Sequence, residues 1–118
     1  MAQNIMNNLR ITEISQKVLQ AAKDTLGDKL HKVILYGSYA RGDYEEDSDI
    51  DFMVLADVPQ EDVSRWDSEI YKHLSGIGLE YDIIVSVSVT NRLLFHGYID
   101  ILPYYMNINK EGVVLYAA

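Results

Sequence analysis

Two short apolar runs, joined by a glycine turn and an acidic stretch, are the feature that most constrains how this chain folds. The first run covers residues 32–36 and leads into Gly37-Ser38. After ten intervening residues, Asp49-Ile50-Asp51 opens the second run, which continues to Leu55. Both runs are rich in the branched and aromatic residues that strands prefer. The sequence therefore predicts one strand that ends in a glycine turn and a second strand that begins with two carboxylates.

Amphipathic helices are predicted before and after this strand pair. Apolar residues at three- and four-residue steps mark a leading helix that closes at Gly27. A second helix is expected to begin after Pro59, with acidic residues in its first turn, where the helix dipole favours them. The predicted inner faces are Leu9, Ile11, Ile14, Val18, Ala21 or Ala22, and Leu26 in the first helix, and Val63, Trp66, Ile70 and Leu74 in the second. Both helices are expected to cover the sheet.

The second half of the chain gives weaker signals. A third strand is predicted over residues 79–87, where apolar and polar residues alternate and then give way to an apolar run. Residues 92–101 fit either a short helix or a loop. A last helix is predicted from Pro103 to about Lys110, followed by an apolar tail over residues 113–116.

Chain order decides whether the polar residues can meet. Ser38 ends the first strand and Asp49 begins the second, so the two strands must be antiparallel to bring both residues to one edge. A helical crossover makes the second and third strands parallel, which places Asp82 at that edge too. Because strand side chains alternate between faces, one face is expected to gather Asp49, Asp51 and Asp82. The predicted fold class is α/β, of the α+β kind, with a small mixed sheet of three to four strands and helices packed against it.

Composition limits the classes of function. A chain of 118 residues is expected to form a single domain over residues 1–118. Its formal charge of −8 opposes binding of long nucleic acids, which depends on Lys and Arg. Cysteine is absent, so disulfides and thiolate zinc sites are excluded. Neither a leader peptide nor an apolar run of membrane-spanning length is visible, so we expect no membrane association and a cytoplasmic location.

The Gly-Ser pair, the ten-residue spacing and the Asp-x-Asp together resemble the signature of the DNA polymerase β-type nucleotidyltransferase superfamily. The size of the chain is similar to that of its most compact branch, the minimal nucleotidyltransferases found beside a HEPN-domain partner. The end of the chain, with Glu111-Gly112-Val113, also looks like the end of that branch. The resemblance implies a nucleotidyltransferase fold for the single domain.

The resemblance also implies an activity. Such an enzyme transfers AMP from ATP to a hydroxyl acceptor, here a tyrosine of a HEPN-type toxin, and so acts as the antitoxin of a toxin–antitoxin pair. The alternative is a non-catalytic antitoxin, or a nucleotide-binding module, that neutralises its partner by binding. Motifs of other phosphate-binding classes are missing, because neither a P-loop ending in Gly-Lys-Ser/Thr nor a G-x-G-x-x-G follows a strand.

The resemblance assigns roles that the chemistry of the residues explains. Asp49, Asp51 and Asp82 are expected to bind two Mg²⁺ ions, because hard Mg²⁺ prefers carboxylate oxygens and two ions can stabilise both oxygens of an in-line displacement. Gly37 and Ser38 are expected to hold the triphosphate of ATP at the start of a helix near Tyr39.

Two assignments remain open. Arg41 either reaches the phosphates or pairs with the surrounding acids. Asp82 is either the third carboxylate or an exposed strand residue, with Glu80 as the alternative ligand. The remaining acids of the stretch are expected to form a solvated loop: Asp43, Glu45, Glu46 and Asp47.

Overall fold

The computed structural model describes residues 9–118 and is built on a four-stranded mixed sheet with the order β3-β2-β1-β4. The strands are β1 (Leu30–Tyr36), β2 (Ile50–Ala56), β3 (Val85–Asn91) and β4 (Val113–Ala117). β1 runs antiparallel to both β2 and β4, and β2 runs parallel to β3. The predicted fold class and both predicted strand orientations are confirmed. The first eight residues of the expected domain lie outside the described residues.

Helices cover both faces of the sheet. Within residues 9–118 they are α1 (Leu9–Leu26), α2 (Ser38–Arg41), α3 (Val63–His73), α4 (Ile77–Tyr81), α5 (Arg92–Tyr98) and α6 (Pro103–Glu111), with 3₁₀ turns at Gly27–Lys29 and Gln60–Asp62. None of these helices is long and apolar enough to cross a membrane.

Strand β2 separates two clusters of buried side chains. Phe52 and Val54 belong to the larger cluster, which α1 and α3 cover. Met53 and Leu55 point to the other face, where Phe95 of α5 and a residue of α6 pack on them. Burial of each such side chain stabilises the fold by about 1.5–3 kcal/mol. By alternation, Asp51 lies on the face of Met53, which is the face that α5 and α6 cover.

The predicted stripes of the two long helices are confirmed with one exception. Ile11, Ile14, Val18 and Leu26 are buried, as are Ile70 and Leu74 of the second stripe. Leu9, however, is 72% exposed. The prediction for Leu9 was wrong because two residues correspond to about 200° around a helix, which turns Leu9 away from the face of Ile11.

The third strand begins later than predicted. Residues 77–81 form the short helix α4, which follows Gly76 with φ of 82° and ends at Asp82 with φ of 52°. The amide of Glu80 donates to the Gly76 carbonyl, so backbone bonds of a helical turn replace the expected strand pairing there. β3 instead covers residues 85–91, paired with β2 along its full length.

The C-terminal part resolves what the sequence left open. Residues 92–98 are helical, and the Asn91 side chain accepts a hydrogen bond from the amide of Leu94 at the start of α5. The last helix extends to Glu111, and the apolar tail forms β4 on the outer side of β1. The sheet therefore has the larger of the two predicted strand numbers.

Side chains of the crossover segment between β2 and β3 cover the outer edge of β3. The amide of Val87 donates to the hydroxyl of Tyr71 at 2.7 Å, and the amide of Val89 donates to Asp67 Oδ1 at 2.7 Å. The amide of Asn91 donates to the side-chain oxygen of Gln60 at 2.8 Å. An edge strand with free amides can pair with other chains, so these bonds protect β3 as well as fix α3.

Candidate active site

The turn after β1 places a one-turn helix at the edge of the sheet. Gly37 has φ of 77° and ψ of −156°, a conformation suited to glycine, and α2 begins at the next residue. The Gly37 carbonyl accepts from the amides of Ala40 and Arg41. Tyr39 and Ala40 are buried and anchor this turn in the core. The helix expected near Tyr39 is present, but it has only four residues.

Two carboxylates lie beside this turn. Asp51 is paired with Tyr36 across the antiparallel strands, next to the glycine. A Cβ atom added to Gly37 would lie 2.8 Å from Asp51 Oδ2. Asp49 is exposed and directly precedes β2. The structure therefore brings Gly37, Asp49 and Asp51 to one edge of the sheet.

The electrostatics of this pair favour a cation. Partial burial, and secondarily the charge of Asp49, raise the pKa of the Asp51 carboxyl above its ordinary value. A divalent cation bound by both carboxylates would remove the repulsion and replace lost hydration with oxygen coordination. Their oxygen donors fit a hard ion such as Mg²⁺.

Asp82 does not lie on a strand beside this pair. It is an exposed residue in the left-handed conformation, in the turn between α4 and β3. Within residues 9–118, no group of three or more Asp, Glu, His or Cys side chains is close enough together to hold a metal ion. The prediction that one strand face carries three carboxylates was therefore wrong. It failed because a helical turn occupies the start of the predicted strand.

Glu80, the alternative ligand, belongs to α4 and not to a strand. Its carboxylate pairs with Lys17 of α1 at 3.3 Å. That contact directs Glu80 toward the leading helix.

Ser86 occupies the position beside Asp51 that sequence reasoning gave to an acid. The two residues are partners in the parallel β2–β3 ladder, so their side chains lie on the same face. The position of Ser86 could have been predicted from the strict alternation Val85-Ser86-Val87-Ser88-Val89. This pattern is typical of a strand and places both serines on one face.

Arg41 pairs with acids. Its Nε lies 3.1 Å from Asp43 Oδ2 and 3.8 Å from Glu111 Oε2. The Arg41 side chain is 43% exposed, and exposed pairs contribute little to stability. A bound phosphate could therefore replace these carboxylates as the partner of the Arg41 guanidinium with little loss of stability.

A cavity of about 180 Å³ adjoins the glycine turn, and Arg41 and Tyr104 form part of its wall. The hydroxyls of Tyr36 and Tyr104 are 2.7 Å apart. Burial, followed by this hydrogen bond, raises the pKa of Tyr36, which keeps its hydroxyl neutral. Of the two tyrosines in α6, Tyr104 thus borders the candidate site, whereas Tyr105 packs on Phe95.

A strand, a glycine turn and a short helix lie beside Asp51 of the neighbouring antiparallel strand and Asp49 just before it, an arrangement that suits proteins that bind a phosphate group and a cation together. Comparison with known proteins makes the class specific. A family model described as the nucleotidyltransferase domain matches residues 15–111. The chain belongs to this family, and it is a minimal nucleotidyltransferase.

Curated relatives from Methanocaldococcus jannaschii agree with this assignment. One, named "Putative protein adenylyltransferase MJ0141", is 37% identical over 92 residues, which are 78% of this chain and 91% of the relative. Another, "Putative protein adenylyltransferase MJ0604", is 33% identical over 101 residues, or 86% of this chain and 93% of the relative.

Solved structures share the fold at low sequence identity. A Sulfolobus solfataricus structure described as a "putative nucleotidyltransferase" has a TM-score of 0.57 at 20% identity, covering 98% of this chain and 86% of the other. A structure described as a toxin–antitoxin with AMP-PNP has a TM-score of 0.51 at 19% identity, covering 88% and 73%. These similarities support the fold alone.

Proposed function

We propose that this nucleotidyltransferase is a Mg²⁺-dependent protein adenylyltransferase that transfers AMP from ATP to a tyrosine hydroxyl of a HEPN-type toxin and acts as its antitoxin. The observation that carries the proposal is the contact between the glycine turn and the carboxylate of Asp51. This contact would hold bound phosphates next to a bound cation, and transfer of a nucleotidyl group needs both the phosphates and the cation in position.

In the proposed reaction, the tyrosine oxygen attacks the α-phosphorus of ATP. The bond from that phosphorus to the bridging oxygen breaks, pyrophosphate leaves, and the phenolic proton passes to a carboxylate. Asp49 and Asp51 would hold Mg²⁺, which when bound stabilises charge on the attacking and leaving oxygens. We retain Asp82 as a proposed third carboxylate, which would assist deprotonation of the tyrosine hydroxyl.

The chain's own groups would position the triphosphate. Gly37 allows phosphate oxygens to approach the backbone, and Ser38 offers its hydroxyl and amide. The first amides of a helix have no acceptor within the helix, so the amides of Ser38 and Tyr39 at the start of α2 would be available to phosphate. Arg41 would exchange its exposed acidic partners for the β- and γ-phosphates.

Similar proteins support the acceptor and the donor. Two relatives carry names of protein adenylyltransferases, and a solved structure of this fold is a toxin–antitoxin described with AMP-PNP. The formal charge of −8 disfavours a long nucleic acid as acceptor. We also propose a cytoplasmic location, because the donor nucleotide is made and held there.

Co-expression with the protein encoded by the adjacent gene tests this proposal. Intact-mass spectrometry of that protein should reveal covalently bound AMP, and Asp49→Asn should abolish the modification. Glu45→Gln is the matched control, because Glu45 lies in the same acidic loop but is not a proposed ligand. Absence of AMP on the partner with the wild-type enzyme, ATP and Mg²⁺ would overturn the proposal.

A second candidate, a non-catalytic antitoxin, is favoured by the position of Asp82 outside the carboxylate pair. Such a protein would neutralise the toxin by covering it. An Asp49→Asn, Asp51→Asn double variant would then rescue growth as completely as the wild type. Loss of rescue, with the variant still bound to the toxin, would exclude this candidate.

A further inference from the structure

A groove of about 730 Å³ lies between α4 and the acidic loop that leads to Asp49. Its walls include Leu79 and Ile84, which are 92% and 67% exposed, and its polar residues include Glu46 and Asp47. Contiguous apolar surface rimmed by polar residues often marks an interaction site. The groove thus has the composition of a recognition site, with apolar contacts and charged residues at its rim.

The groove reaches the edge of the sheet that carries the candidate active site. The amide of Ile50 donates to the carbonyl of Ile84 at 3.0 Å. One wall of the groove is therefore bonded to the residue that follows Asp49. A chain segment lying in the groove would have its neighbouring residues close to the carboxylate pair.

Charge decides what can occupy this groove. Among residues 9–118, no ion pair involves Glu46 or Asp47, and both are exposed. A second copy of this chain carries the same formal charge of −8 and would be repelled, as would RNA. A segment with basic residues would instead be attracted to the groove, because complementary charges favour encounter and fix orientation.

We propose that this groove docks the acceptor protein through a segment that places an apolar side chain between Leu79 and Ile84 and Lys or Arg against Glu46 and Asp47. The inference rests on the proposed function, because it names the acceptor surface that the transferase recognises. Docking here would hold the acceptor tyrosine of the same segment near Asp49, which supplies the positioning that a small enzyme needs for transfer.

Peptide binding tests the proposal without catalysis. Two fluorescein-labelled 12-residue peptides would be compared by anisotropy with the whole chain and no ATP. Each carries one tyrosine and two leucines, with three arginines in the first peptide and three glutamates in the second. The basic peptide should bind at least tenfold more tightly. Leu79→Ser should weaken it about tenfold, because a buried leucine contact is lost.

Two matched controls separate docking from general attraction. Glu46→Lys with Asp47→Lys should abolish the preference for the basic peptide. Asp28→Lys with Glu61→Lys makes the same change in net charge at the opposite end of the β1–β2 pair, and this variant should retain the preference. Leu93→Ser removes another exposed leucine, from α5, and should leave binding unchanged. Leu79 is almost fully exposed, so its substitution should not affect folding, which an unchanged Tm would verify.

The outcomes distinguish this inference from the proposed function. Failure of the basic peptide to bind, equal loss of preference in both double variants, or wild-type binding by Leu79→Ser would overturn the docking groove. Groove-dependent binding without transfer of AMP to the toxin would overturn the adenylyltransferase proposal alone. Transfer by the Leu79→Ser variant at the wild-type rate would overturn the groove and leave the enzyme activity intact.

Discussion

Gly37 lies directly against the carboxylate of Asp51, so close that a Cβ atom on Gly37 would be 2.8 Å from Asp51 Oδ2. The residue that opens the glycine turn and the residue proposed to bind the cation are therefore in contact. The contact exists because β1 and β2 are antiparallel, which pairs Tyr36 with Asp51. A change in the glycine turn should displace the carboxylate.

Gly37→Ala should reduce AMP transfer at least 100-fold. The new methyl group would push Asp51 out of position, and misplacement of a catalytic group by about 1 Å costs about that factor. With φ of 77° and ψ of −156°, Gly37 lies in a backbone region that is essentially restricted to glycine, so alanine there adds strain of about 1–3 kcal/mol. Transfer rates and Tm would be measured together, because the strain should also lower stability.

Gly27→Ala is the matched control. Gly27 has φ of 56°, but a Cβ atom there meets nothing within 4 Å. Its variant should lose similar stability and keep its activity. Equal loss of activity in both variants would mean that strain, and not contact with Asp51, explains the effect at Gly37.

Asp51→Asn should make the protein more stable without metal, although it removes activity. The raised pKa of Asp51 means that its protonated form is favoured in the folded state. The stabilisation by the protonated Asp51 carboxyl is complete below the pKa of Asp51 in the unfolded chain. It is lost as the pH rises through the higher pKa of Asp51 in the folded protein. The Tm of Asp51→Asn should therefore exceed the wild-type Tm at pH 7, and the difference should vanish near pH 3.

Mg²⁺ should reduce the difference in Tm between the wild type and Asp51→Asn. At pH 7, Mg²⁺ should raise the Tm of the wild type, since it relieves the repulsion between Asp49 and Asp51. The same addition should leave the Tm of Asp51→Asn almost unchanged. An equal increase in both proteins would show that Mg²⁺ binds elsewhere.

The part of the fold predicted from sequence was the part with strong periodicity. Residues of α1 and α3 followed a helical repeat, and the branched runs before Gly37 and after Asp49 gave both central strands. The antiparallel and parallel pairings followed from chain order. The placement of Gly37, Ser38 and Asp49-x-Asp51 in the candidate site could be predicted, because these residues lie at the ends of those strands; their roles stay predictions.

The error at the third strand has a local cause. Leu79, Tyr81 and Ile83 alternate with polar residues, so the segment has strand-like spacing over too few residues to exclude a helical turn. Gly76 and Asp82 adopt positive φ values around that turn, and a positive φ at an aspartate has no reliable sequence signal. The position of Asp82 therefore depended on backbone geometry that periodicity does not encode.

Asp82→Asn should reduce AMP transfer about 100-fold with little change in Tm. Asparagine tolerates the left-handed conformation as well as aspartate does, so the turn at φ of 52° should be retained while the carboxylate is lost. Transfer rates at saturating ATP and Mg²⁺ would measure the effect. Activity equal to the wild type would mean that the reaction uses Asp49 and Asp51 with Ser86 beside them.

Asp67→Ala should destabilise the protein by about 1–2 kcal/mol, because the amide of Val89 at the edge of β3 would lose its acceptor. Asp67→Asn can keep that acceptor and removes a charge whose burial raises the pKa of Asp67. Its stability at pH 7 should therefore equal or exceed that of the wild type. Urea unfolding would compare the three proteins. Equal destabilisation in both variants would mean that the charge of Asp67, and not its hydrogen bond, holds α3 against β3.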